Sequence, residues 1–200
     1  QLSRNRWTFD IGAGGWGNGE AQYYTSRKEN VRIEKGMLVI EGRQEKYEDS
    51  YYTSARLKTQ DLQTFQYGRF ESRIKVPEGK GMWPAFWMLG ADFERDESNP
   101  IDSNWPDVGE IDIMEYVGRE PNLVVGTVHG PGYSGAGGLG RWNPRDEPIA
   151  DAFHTFAIEW DETGIRWFFD GEEYWFLGPE GVVQTVETGG DRRETRGHEG

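Results

Sequence analysis

Three acidic side chains lie within six residues of an otherwise apolar stretch, GEIDIMEYVG, which spans residues 109–118. They are Glu110, Asp112 and Glu115. Such a row has three explanations: a solvated strand face, a metal site, or a catalytic acid pair with an assisting acid. Two carboxylates close together can carry out retaining glycoside hydrolysis, one as nucleophile and the other as general acid/base.

The spacing of these acids predicts an irregular strand. On a regular strand, residues i and i+2 share a face, so Glu115 would lie opposite the other two acids and be buried. A one-residue β-bulge at Ile113 and Met114 removes this conflict and places all three acids on one face. The other face, directed into the core, then carries Ile111, Ile113, Met114 and Tyr116.

The catalytic pair is the preferred interpretation of this row. A third acid between two others can hold a shared proton and raise the pKa values of its neighbours. A metal cluster is less favoured because the stretch contains no histidine and hard cations usually also take carbonyl ligands from loops. The solvated face and the metal cluster stay open as alternatives.

Tryptophan residues near the predicted loops favour a saccharide cleft, because the apolar faces of sugar rings stack on aromatic rings. Trp83, Trp87 and Trp105 are the candidates for substrate contact. Three further tryptophans lie in hairpin-like segments and are interpreted as packing residues: Trp160, Trp167 and Trp175.

Alternation with a period of two dominates the chain and predicts an all-β fold, a sandwich or a barrel. Hairpins are expected at residues 31–40 and at Asp170-Gly171, strands at residues 54–59, 67–76, 156–160 and 165–169, and a turn at residues 161–164. No stretch carries a sustained helical stripe. The glycine-rich residues 12–19 precede no helical pattern, so a phosphate site is not expected. Residues 92–106 and 130–148 are interpreted as irregular loops, either cleft rims or ordinary surface loops.

Length, charge and composition limit the number of domains and the kinds of partner that we expect. We expect one domain over residues 1–200, with a polar tail at 182–200 that contains Arg192, Arg193 and Arg196. The net charge of −13 argues against a nucleic-acid partner, and the lack of a long apolar run argues against a membrane partner. Disulfides are excluded because there is no cysteine. The chain starts at Gln1 without an initiating Met, which suggests processing or trimming and leaves secretion open.

Four segments, GGWGNGEAQYY, YGRFESRIKVP, WPAFWML and GEIDIMEYVG, together closely resemble glycoside hydrolase family 16. The E-x-D-x-x-E form, with its extra residue at Met114, resembles the laminarinase-type endo-β-1,3-glucanases. The resemblance implies a concanavalin-like β-jelly-roll sandwich of two antiparallel sheets, with the acids on its concave face. It also implies a secreted, monomeric enzyme that acts on β-glucan.

The resemblance further assigns residue roles. Glu110 would be the nucleophile, Glu115 the acid/base, and Asp112 the assisting acid. His129 matches a family histidine near the leaving group, and Asn18 and Arg56 match residues that bind glucosyl units on the non-reducing side. Without the family, His129 would be taken as structural, and Asn18 and Arg56 as ordinary polar residues.

The resemblance covers about residues 7–176, and the first and last strands typical of the family have no counterpart in this sequence. These strands carry side-chain ligands of a structural calcium ion. Gly36 could supply a carbonyl ligand, but the matching carboxylates are absent; no cofactor is required for catalysis. The sequence leaves open a fragment, a partner or segment that fills the gap, or an unusually small sandwich.

We therefore expect a retaining endo-hydrolase of β-1,3-glucan, which could also act on mixed β-1,3-1,4-glucan. Activity should fall at low pH as Glu110 is protonated and at high pH as Glu115 loses its proton. The alternatives are a non-catalytic β-glucan-binding module on the same fold and a transglycosylase that uses the same acids.

Overall fold

The computed structural model describes residues 2–95 and 103–182 of the chain. The predicted polar tail beyond residue 182, and part of the predicted loop 92–106, lie outside these described residues. The chain divides into two compact units. The first unit is formed by the described residues of Gln1–Phe65 and Glu94–Ser103, and the second by those of Gln66–Phe93 and Asn104–Gly200. The prediction of one domain over residues 1–200 stays a prediction.

The first unit consists of short strands in small sheets. Its strands are β1 (Thr8–Asp10), β2 (Gln22–Tyr24), β3 (Val31–Glu34), β4 (Met37–Ile40), β5 (Arg43–Tyr47), β6 (Ser50–Ser54) and β7 (Arg56–Lys58). β1 pairs with β7, β3 pairs with β4, and β2, β6 and β5 form a three-stranded sheet in which β2 and β6 are parallel.

The second unit contains two four-stranded antiparallel sheets. Its strands are β8 (Gly68–Ile74), β9 (Ala85–Leu89), β10 (Glu110–Tyr116), β11 (Leu123–His129), β12 (Leu139–Pro144), β13 (His154–Asp161), β14 (Gly164–Phe169) and β15 (Glu172–Leu177). The strand orders are β12-β11-β10-β9 and β15-β14-β13-β8. Two short 3-10 helices, Gly135–Gly137 and Ile149–Asp151, lie between strands, and a helical turn occupies residues 179–182.

Both predicted hairpins are confirmed, and their turns show why these residues form them. Lys35 and Gly36 join β3 to β4 with φ values of 51° and 80°. Asp170 and Gly171 join β14 to β15 with φ values of 49° and 84°. Two consecutive positive φ angles are the conformation that matches strand twist in a two-residue hairpin, and Gly adopts it without steric penalty.

The two sheets of the second unit pack face to face around one apolar core, as predicted for a sandwich. β10 and β13 are in contact across this core. The fully buried residues come from both sheets and include Ile113, Met114, Tyr116, Phe156, Ile158 and Trp167. One face of β10 packs against this core through Ile113, Met114 and Tyr116, which leaves its opposite face directed away from the core.

Two predictions of local structure are wrong. Residues 130–148 are not an irregular loop, because β12 lies within them and pairs with β11 over its whole length. Residues 54–59 do not form one strand, because Ala55 separates β6 from β7, which join different sheets. In the part of the chain that the structure describes, no helix is long and apolar enough to cross a membrane.

Candidate active site

The predicted bulge is present in β10. Against β11, the pairing runs regularly from Glu110 to Asp112 and then shifts before Glu115. Against β9, the shift falls between Asp112 and Met114. The bulge therefore places one extra residue between Asp112 and Glu115, and both Ile113 and Met114 are buried in the core. All three acids consequently lie on the face that points away from the core.

A hydrogen bond across the core holds the bulge. The indole N–H of Trp167, on β14, donates to the backbone carbonyl of Asp112 at 2.9 Å, and this contact is buried. Trp167 also stacks on Trp175 at a centroid distance of 4.1 Å. Gly126 leaves room for the indole, since a Cβ at that position would lie 2.4 Å from Trp167 Cδ1. The prediction of packing roles for both tryptophans is confirmed, but Trp167 also fixes the geometry of the acids.

Each outer acid accepts a hydrogen bond from a tryptophan. Trp83 Nε1 donates to Glu115 Oε1 at 3.0 Å, and Trp105 Nε1 donates to Glu110 Oε2 at 2.6 Å. The two residues are 49% and 36% exposed, so their rings stay accessible while their N–H groups orient the carboxylates. Trp87 pairs with Asp112 from β9, which places it on the acid face. The structure thus brings all three predicted tryptophans to the acids.

His129 pairs with Glu110 across β10 and β11 and approaches the central acid. Its Nε2 lies 3.1 Å from Asp112 Oδ2, an oxygen that accepts no hydrogen bond from the described residues. The ring centroid lies 5.8 Å from that of Trp105. On its other side the imidazole packs on Gly138, where a Cβ would lie 2.5 Å from the ring. His129 is therefore held in one position beside the acids.

Burial is the largest influence on the three carboxyl groups. Burial and the charge of Asp112 raise the pKa of Glu110 to about 7. The hydrogen bond from Trp105 and the interaction with His129 act in the opposite direction. Burial and the charge of Glu115 raise the pKa of Asp112 well above its usual range. Burial likewise raises the pKa of Glu115, opposed by Trp83 and His129. Three neighbouring carboxyl groups of this kind can include both a protonated acid and an ionised carboxylate near neutral pH.

The sequence analysis missed Thr127, whose side chain makes a hydrogen bond that lowers the pKa of Glu115. Thr127 pairs with Asp112 on the acid face of β11. The alternation that places His129 on this face also places Thr127 there, so the signal was present in the sequence. The Trp167 hydrogen bond has no such signal, because it depends on how the two sheets align.

Asn18 and Arg56 lie in the first unit, whereas the acids lie in the second. The Asn18 amide donates to Glu20 Oε1 at 3.0 Å. Arg56 Nε is 3.0 Å from Asp10 Oδ2, and its guanidinium lies 5.2 Å from the ring centroid of Trp16. Both side chains are thus oriented by acids of their own unit, and their predicted binding of glucosyl units stays a prediction.

Gly36 lies in the exposed turn between β3 and β4. Among residues 2–95 and 103–182, no group of three acidic, histidine or cysteine side chains is placed to hold a metal ion. A structural calcium ion with a Gly36 carbonyl ligand stays a prediction.

Comparison with known proteins gives concordant matches. The profile of the family described as glycosyl hydrolases family 16 matches residues 18–180. A beta-glucanase from Rhodothermus marinus is 48% identical over 172 residues, which cover 85% of this chain and 58% of that protein. The crystal structure of the laminarinase catalytic domain from Thermotoga maritima has a TM-score of 0.82 at 42% identity, covering 95% of this chain and 76% of that one. The laminarinase from Rhodothermus marinus has a TM-score of 0.81 at 43% identity, with 91% and 71% covered.

These matches confirm the predicted fold class. The chain spans 58% of the length of the matched beta-glucanase. The segment matched by the family profile contains β10, with its bulge and three acids, together with the tryptophans that donate to them. On this sequence and structural agreement, the chain belongs to glycosyl hydrolases family 16.

Proposed function

We propose that this protein is an endo-acting hydrolase that cleaves β-1,3-glucan with retention of anomeric configuration. The observation that carries the proposal is the bulge in β10, which aligns Glu110, Asp112 and Glu115 on one face. A strand without the bulge would bury Glu115 and separate it from the other two. The similar beta-glucanase and laminarinases support β-glucan as the substrate.

In the first step, Glu110 attacks the anomeric carbon and the glycosidic C–O bond breaks. Glu115 gives its proton to the departing oxygen, so that the leaving sugar carries a hydroxyl group. This step needs Glu110 ionised and Glu115 protonated at the same time. Burial supports a retained proton on both outer acids, and each accepts a tryptophan N–H that favours its ionised form, so the division of roles between Glu110 and Glu115 follows the family resemblance.

In the second step, Glu115 is ionised and takes a proton from a water molecule, which attacks the glycosyl-enzyme ester and releases Glu110. Two inversions give net retention. Asp112 lies between the two acids and interacts with Glu110 through a hydrogen bond and through its charge. We infer that Asp112 stores the proton that Glu110 must lose before it attacks, with His129 Nε2 lying 3.1 Å from Asp112 Oδ2.

The surroundings favour a neutral polysaccharide. The half-exposed rings of Trp83 and Trp105 offer apolar surfaces beside the acids, suited to the faces of glucosyl rings. The chain has a net charge of −13, which would repel a polyanionic glycan. We propose that the protein acts outside the cell as a monomer, because a glucan polymer does not enter cells, and that mixed-linkage glucan is a secondary substrate.

The test is hydrolysis of laminarin, lichenan and agarose, with the first product followed by proton NMR. We expect laminarin to be cleaved fastest, the β-anomer to form first, and internal cleavage to release a series of oligosaccharides. Glu110→Gln should abolish this activity, while Glu120→Gln, an exposed glutamate beyond the end of β10, should retain it. An α-anomer as the first product, or a fully active Glu110→Gln variant, would refute the proposal. Binding of laminarin without release of reducing ends would favour the binding module instead.

A further inference from the structure

The face that carries the three acids also carries a large aromatic residue two strands away. Trp142, on β12, pairs with Val125 of β11, and Val125 pairs with Glu115 of β10. Directly paired residues on neighbouring strands project from the same face of a sheet. Trp142 therefore lies on the acid face, at the level of Glu115.

The indole of Trp142 is available to a ligand. It is 42% exposed, and within residues 2–95 and 103–182 it has no hydrogen bond or ring contact. This distinguishes it from Trp167, whose ring is buried against Trp175 and whose N–H is bonded. A single exposed aromatic residue is unremarkable on a protein surface. Its alignment with a carboxylate row is what gives Trp142 a candidate role.

The side chains between and beside Trp142 and Glu115 are small. Val125 lies between them, and Gly140, the next acid-face position along β12, carries no side chain. Gly140 in turn pairs with Thr127, a short residue. The indole of Trp142 therefore projects above these smaller side chains, on the same face as the acids.

The distance from the acids suits an oligosaccharide. Neighbouring strands are about 4.8 Å apart, so the axis of β12 lies roughly 10 Å from that of β10. A chain cleaved at β10 and laid across the strands would reach Trp142 with its first or second sugar ring. Trp142 also lies level with Glu115 and away from Glu110, because β12 begins at Leu139, opposite Val128, and has no residue paired at the level of Glu110.

We propose that Trp142 is a stacking platform for a glucosyl unit of the bound β-glucan, one or two rings away from the cleaved bond. This position follows from the separation of roughly 10 Å between β10 and β12. The proposal rests on the proposed function for the identity of the sugar. It adds a binding position outside the acid row.

The test measures kcat/KM on laminarihexaose together with the Tm of each variant. For Trp142→Ala we expect kcat/KM to fall about tenfold, while Tm stays within about 2 °C of wild type because the side chain is exposed. Trp142→Tyr should recover most of the loss. Phe153→Ala, which removes another exposed aromatic residue of the same unit, is the matched control and should leave kcat/KM unchanged.

A loss of kcat/KM that Trp142→Tyr does not recover, or that Phe153→Ala shows to the same extent, would overturn the proposal. An unchanged kcat/KM on laminarihexaose would overturn it as well. If the wild type does not hydrolyse laminarihexaose, the proposed function fails, and the platform is then judged by calorimetric binding of laminarihexaose. Weaker binding by Trp142→Ala than by Phe153→Ala would still support it, and equal or undetectable binding would overturn it.

Discussion

Replacing Glu110 with glutamine should stabilise the protein at alkaline pH while abolishing its activity. In the folded chain, burial and the neighbouring Asp112 raise the pKa of Glu110 from 4.5 to about 7. Folded Glu110 therefore holds its proton over a pH range in which the unfolded chain has lost it. Its contribution to the free energy of unfolding is largest below the unfolded pKa and declines as the pH rises through the folded value.

The size of the effect follows from the two pKa values. Each pKa unit corresponds to about 1.4 kcal/mol, so the ionised Glu110 lowers the free energy of unfolding by about 3 kcal/mol at pH 8. Glutamine has the shape of the protonated acid and can still accept the hydrogen bond from Trp105. Glu110→Gln should therefore be more stable than wild type by about 3 kcal/mol at pH 8, or roughly 6–12 °C in Tm for a domain of this size, and nearly equal to it at pH 4.

Urea unfolding at pH 4 and pH 8 measures this difference directly. Glu120→Gln, which changes the same charge at an exposed position, is the control and should shift stability little at either pH. The reasoning would be refuted by a Glu110→Gln variant that is no more stable than wild type at pH 8. It would also be refuted by a gain of the same size at both pH values, because that gain could not come from ionisation.

Three further substitutions test how the acids are positioned. Trp167→Phe removes the donor to the carbonyl at the bulge, so the free energy of unfolding by urea should fall by about 1–3 kcal/mol and kcat should fall with it. Trp105→Phe removes a hydrogen bond that lowers the pKa of Glu110, so the acidic limb of the kcat/KM profile should move to higher pH. Gly138→Ala places a Cβ 2.5 Å from the ring of His129, so kcat should fall about tenfold as the ring is displaced, a shift that a crystal structure or the histidine NMR signals would show.

Matched changes in the same unit separate these effects from general destabilisation. Trp175→Phe keeps the bulge hydrogen bond while altering the stacked pair, so it should lower kcat less than Trp167→Phe at comparable stability. Gly178→Ala adds a Cβ with ordinary contacts at 3.5 Å and should be close to neutral. An unmoved acidic limb in Trp105→Phe, or an unmoved His129 in Gly138→Ala, would contradict the positions assigned to those residues.

The bulge could be predicted because the sequence contains a conflict that only one local change resolves. A regular strand would bury Glu115 and expose Met114, and the cost of burying a charge is large enough to decide between the two geometries. The hairpin turns were predictable for a related reason, since consecutive positive φ angles favour Asp-Gly and similar pairs.

Other features depend on contacts between distant parts of the chain. β12 is an edge strand of the described sheet, and Gly138, Gly140 and Pro144 interrupt the alternation by which it could be recognised. Its pairing is imposed by β11. The hydrogen bond from Trp167 to the bulge requires the alignment of two packed sheets, which the residue pattern of either strand does not encode.

The central claim is that the bulge aligns the three acids for a double displacement in which Glu110 is the nucleophile. The most direct measurement is covalent trapping with an activated 2-deoxy-2-fluoro-β-laminaribioside, followed by mass spectrometry of the digested protein. The fluorine slows release of the glycosyl-enzyme, so we predict one label per chain, attached to Glu110, and no label in Glu110→Gln. A label on Asp112 or Glu115, or hydrolysis that proceeds without any labelled residue, would contradict the account.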